Sequence, residues 1–128
     1  LEQLDNGTTT IFDWSREVLT PKHADAAVDA LQRSGIRAFL GYAIPGPQQG
    51  GDAVKADIMR IQSGPLAARD GRVRLAIGLR GPDSSPPDQT EADFKFALSL
   101  GVIHQFHIGA WLYQARRPRA SDWSAPRT

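Results

Sequence analysis

Two periods of apolar and polar positions alternate along this chain. Residues 8–14, β-branched and aromatic behind Gly7, predict a strand. Thr20-Pro21 then supplies an N-cap and a proline for the first helical turn. Ala24, Ala27, Val28 and Leu31 follow at helical spacing, and Gly35 stops the run. Residues 36–42 are almost continuously apolar and predict a second strand, followed by a glycine- and proline-rich loop over 44–51. Val54, Ile58 and Ile61 line one face of a second full helix, which Gly64-Pro65 interrupts, with a further short turn over 66–69.

Residues 73–79 predict the third strand and 80–87 another long loop. Thr90 with Asp93 resembles a capping box, Asp replacing the usual Glu, and opens a helix expected to bury Phe94, Ala97 and Leu98. Gly101 closes it, and 102–107 predict the fourth strand. Periodicity ends at Gly109. The chain thus divides into β/α units over 1–110 and an irregular tail over 111–128. Residues 1–7 read as the last turns of an earlier helix, closed by Gly7, and the first residue is Leu1; this is the pattern expected of an internal piece of a longer protein.

The order βαβαβαβ, with helical crossovers between strands, requires parallel pairing. Two α/β architectures share it: part of an eight-stranded (β/α)8 TIM barrel, or a small doubly wound domain of receiver or flavodoxin type. The pattern alone does not separate them.

Composition narrows the function classes. The chain has 128 residues, 41% hydrophobic and 23% charged, an ordinary globular mixture, and a net charge of +1 gives no reason to expect nucleic acid or an anionic membrane. Cysteine is absent, which excludes disulfides and thiolate ligands and fits a cytoplasmic enzyme. No apolar run has the length of a membrane span, and no signal-peptide pattern opens the chain. P-loop, dinucleotide and nucleophile-elbow motifs are missing as well.

Candidate chemistry collects where parallel strands end, beside the longer loops. Those ends carry Asp13-Trp14, Tyr42, Arg80 and His107. A neutral imidazole at His107 can ligate a divalent metal or pack as a hydrogen-bonded core histidine. His104, three residues earlier, belongs to the opposite strand face and is expected against a helix. Asp13 could bind substrate or cap its own loop. Arg80 could grip a substrate carboxylate or pair with an acid such as Asp83. Trp14, Trp111 and Tyr113 could wall an aromatic pocket.

Several strings together resemble the cytosine-deaminase and chlorohydrolase-like branch of the amidohydrolase superfamily. They are Leu4-Asp5-Asn6-Gly7-Thr8-Thr9-Thr10 with Asp13-Trp14-Ser15, Pro21-Lys22-His23-Ala24 with Ser34-Gly35-Ile36-Arg37-Ala38, Ala76-Ile77-Gly78-Leu79-Arg80-Gly81-Pro82, and Phe106-His107-Ile108-Gly109. The resemblance implies strands two to five of a TIM barrel, with His107 as one ligand of a divalent metal, zinc or iron. It further implies hydrolysis of a carbon–nitrogen or related bond in a small-molecule substrate by metal-bound hydroxide. The branch's other ligands have no counterparts in this chain, so the segment alone is expected to be inactive. Its proton-shuttling glutamate is replaced by Ala110. Half a barrel would also expose unpaired edges and is expected to self-associate through them.

Overall fold

The computed structural model describes residues 2–45, 51–68 and 70–108. The tail over 111–128, with Trp111 and Tyr113, and the replaced glutamate position Ala110 lie outside them.

Local signals set most element ends. Helix α1 (Glu2–Asp5) closes where Gly7, at φ 82°, donates to the Leu4 carbonyl and Thr8 donates to the Gln3 carbonyl. This is the paired arrangement that satisfies a helix's last carbonyls, and it needs the left-handed conformation that glycine adopts without strain. Helix α2 (Pro21–Ser34) begins as expected: the Thr20 hydroxyl accepts from the His23 N–H at 3.3 Å, and Pro21 needs no partner for a missing N–H. Helix α3 spans Gly51–Ser63. Beyond it the chain turns through Gly64 to Leu66, and residues 66–68 form no further helix.

Helix α4 (Pro87–Leu100) starts a turn earlier than the Thr90–Asp93 pattern suggests. Pro87 presets the helical φ, and the Thr90 N–H already donates to the Pro86 carbonyl. Asp93 therefore lies on the inner line of the helix, one turn before buried Ala97, while Leu98, expected in the core, is 63% exposed.

The strands are β1 (Thr10–Ser15), β2 (Arg37–Ala43), β3 (Val73–Leu79) and β4 (Ile103–Phe106). They form one four-stranded parallel sheet in the order β1-β2-β3-β4, curled like half a barrel. The described strands contain no reversal of order, the feature that defines a doubly wound sheet.

Alternation then assigns each side chain to a face. Ala38, Leu40 and Tyr42 of β2 and Val73, Leu75, Ile77 and Leu79 of β3 form one core with Ala24 and Val28 of α2, Ile58 and Ile61 of α3 and Ala97 of α4. All these strand residues share one face, so the three long helices cover that face together.

Polar ties fix the helix layer. The Tyr42 hydroxyl donates to Asp57 at 2.7 Å. Arg60 pairs with Asp57 at 2.6 Å and with Asp25 of α2 at 2.9 Å. Burial, reinforced by the Asp57 carboxylate, pushes the Tyr42 phenol above its ordinary pKa, so it remains a donor. Lys55 of α3 pairs with buried Asp93 of α4 at 2.9 Å, and Gln89 donates to the same carboxylate. Among the described residues no helix is long and apolar enough to cross a membrane.

Removing the Asp57 carboxylate leaves the buried Tyr42 hydroxyl without its partner and takes one of two carboxylates from Arg60, whereas Tyr42→Phe leaves both ion pairs intact. Urea unfolding is expected to show a loss of about 3 kcal/mol for Asp57→Ala and about 1 kcal/mol for Tyr42→Phe. Equal losses would show that Arg60 contributes nothing to the tie.

Candidate functional site at the strand ends

The sheet's other face carries no described helix. Its residues include Phe12, Trp14, Phe39, Gly41, Ala76 and Gly78, and their sizes are matched across strands. A Cβ on Gly41 would come within 2.5 Å of Phe12 Cε1, and one on Gly78 within 3.1 Å of Trp14 Cε2. The Phe12 ring therefore lies over β2, and the Trp14 indole reaches past β2 to β3. Phe12 is also stacked with Phe39, with centroids 6.3 Å apart.

From β3 the indole meets His107, just beyond β4. The two rings are 4.6 Å apart at 32°. A residue from the first strand and one beyond the fourth touch because the curl brings the sheet's margins toward each other. Gly81, at φ 72°, carries the loop after β3 close over this end: a Cβ there would lie 3.1 Å from the His107 carbonyl oxygen and 3.2 Å from the Phe106 ring. The Arg80 guanidinium, on the same rim, donates to the Ser84 carbonyl inside its own loop.

The four candidate residues thus separate. Trp14 and His107 are in contact, and Arg80 stands on the rim but is engaged with its loop. Asp13 pairs in register with Leu40 and so points to the helix-covered face, away from Trp14. No hydrogen bond or ion pair reaches its carboxylate among the described residues, and burial pushes its pKa above the ordinary value. His104, also on the helix face, stands edge-on to Phe94 at 5.8 Å, the helix contact that the sequence predicts.

The fit to a metal is incomplete. His107 is exposed and offers one imidazole, but the described residues contain no group of three His, Cys, Asp or Glu that could hold an ion.

Sequence reasoning missed a cleft at the opposite end of the strands. It has a volume of about 290 Å³, and its walls include Thr8, Thr9, Ile36, Arg37 and Arg72. Arg72 donates to the Gly35 carbonyl at 3.2 Å and so serves the end of α2. The sequence signal for this cleft is the pair Arg37, at the start of β2, and Arg72, just before β3.

The raised pKa of Asp13 has a defined sign. Its contribution to stability is fully present below the ordinary value of 3.8 and is lost as pH rises through the higher folded-state value. Asp13→Asn is expected to raise the melting temperature at about pH 7 and leave it nearly unchanged at about pH 3. An equal gain at both would remove desolvation as the cause.

No family model, curated protein or solved structure matches this chain.

Proposed function

We propose that the chain is an arc of a parallel (β/α)8 barrel and that its strand-end rim belongs to the small-molecule site of a metal-dependent hydrolase acting on carbon–nitrogen bonds. The observation that carries this reading is the placement of the exposed His107 imidazole against the Trp14 indole. The pair stands at the C-terminal ends of strands whose helices all lie on the opposite face. In barrels of this kind, catalytic groups come from several strand ends around one mouth.

The roles follow from what the side chains can do. His107 offers one metal ligand, and a neutral imidazole is a common choice for zinc or iron. Trp14 holds the ring in place and gives an apolar wall for a flat substrate. Arg80 can exchange its loop carbonyl for an anionic substrate group. The remaining ligands would come from other strands of the barrel, so these residues alone are assigned no turnover. The order and spacing of the amidohydrolase-like strings support the same reading. A receiver-type domain would need an acceptor aspartate at the end of β3, where Leu79-Arg80 stands.

Expression of the complete open reading frame that encodes these residues, followed by metal analysis, tests the proposal. Zinc or iron is expected near one equivalent, with His107→Ala lowering metal affinity at least about tenfold. A metal-free protein, or a metal content indifferent to His107→Ala, would overturn it.

A further inference from the structure

On the open face of the sheet, the only charged side chains carried by the strands are arginines. Arg37 stands at the start of β2 and Arg74 near the start of β3, both exposed. Arg74 lies over the Phe39 ring at 5.6 Å. Among the described residues no carboxylate pairs with either one. The strands carry a single acid, Asp13, and register puts it on the helix face. Composition does not force this bias, because the whole chain has 15 basic and 14 acidic residues. The acids are placed elsewhere, mostly on the helices.

Apart from Thr10 beside Arg37 and Gln105 on β4, the rest of the face is apolar. Phe12, Phe39 and Trp14 cover its middle, and Ile103 on β4 is 51% exposed. Among the described strands β1 and β4 each have one neighbour, so each leaves one edge open to a further strand. An apolar, edge-exposed and purely basic face calls for an occupant with matching chemistry.

We infer that this face docks a polypeptide carrying carboxylates opposite Arg37 and Arg74, its strands adding at the β1 and β4 edges, and that a second copy of this chain does not fit there. A second copy would bring the same arginines face to face, and like charges juxtaposed in an interface cost several kcal/mol. An acidic partner would instead pair them where little water remains, and arginine suits such buried pairs through its fixed fork of donors. The inference rests on reading the sheet as an incomplete arc. It does not involve the metal, so its failure would leave the His107 assignment standing.

The test is a charge swap across the interface. Arg37→Glu/Arg74→Glu converts the chain into a partner of the same shape with an acidic face. Both positions are exposed, and circular dichroism verifies that the fold survives. Arg37→Glu alone is the second variant, because it leaves the Arg74–Phe39 contact intact. Sedimentation equilibrium at low ionic strength is expected to show that wild type and variant associate with each other at least tenfold more tightly than either does with itself. In about 1 M salt, where charges are screened beyond ~3 Å, that preference is expected to vanish. Wild-type chains that self-associate at low salt as tightly as the mixture would show that the face accepts a second copy, and the inference fails. A mixture no tighter than its components would show that these arginines recognise no acidic face, and it fails equally.

Discussion

Parallel strands laid down in sequence order leave the crossing helices little choice. Each connection from one strand to its neighbour is right-handed in nearly all proteins, so three successive steps in one direction put every helix on the same side. The order β1-β2-β3-β4 has that consequence here, and the single core built from α2, α3, α4 and one set of alternate strand residues is its physical expression. The other set of alternate residues receives no helix. Everything distinctive about the molecule follows from this division of each strand into a covered and an uncovered half.

The covered half is held in two ways. Burial of Leu40, Ile58, Ile61, Ile77 and Leu79 supplies the non-directional part. Orientation comes from polar side chains that span layers: Tyr42 to Asp57, Arg60 to both Asp57 and Asp25, and Lys55 to Asp93. Hydrophobic contact alone lets a helix slide along a sheet, whereas these ties act at fixed points. Asp57 is the junction, since it receives a hydroxyl from the sheet and a guanidinium from its own helix. That guanidinium extends to α2.

The sequence foretold the covered half well because that half is local. Thr20-Pro21 and Gly35 bounded α2 correctly, and β3 ended at its predicted residues. The miss at α4 has a specific cause. Thr90 and Asp93 have the spacing of a cap, but Pro86-Pro87 had already begun the helix, and Asp93 was needed inside to meet Lys55 from another helix. Nothing within one helix reveals such a partner. The candidate site was legible only in part for the same reason. Strand alternation placed His104 and His107 on opposite faces, and the same rule applied to Asp13 and Trp14 would have separated them. The Trp14–His107 contact depends on curl, a property of the whole sheet.

Curl also explains the glycines of the uncovered half. A concave surface has less room than a flat one, so large rings from β1 can lie inward only where β2 and β3 carry no side chain. Gly41 takes Phe12 and Gly78 takes Trp14. This pairing removes part of the Phe12 and Trp14 rings from water by laying them on the sheet backbone. The aromatic residues partly fill the hollow from one margin, and the two exposed arginines stand nearer the strand starts with no acid of the described chain beside them. Packing and charge both fit the proposed barrel, in which the inner face would line the interior. In that arrangement the strand-end rim, where His107 and Trp14 meet, would form its margin.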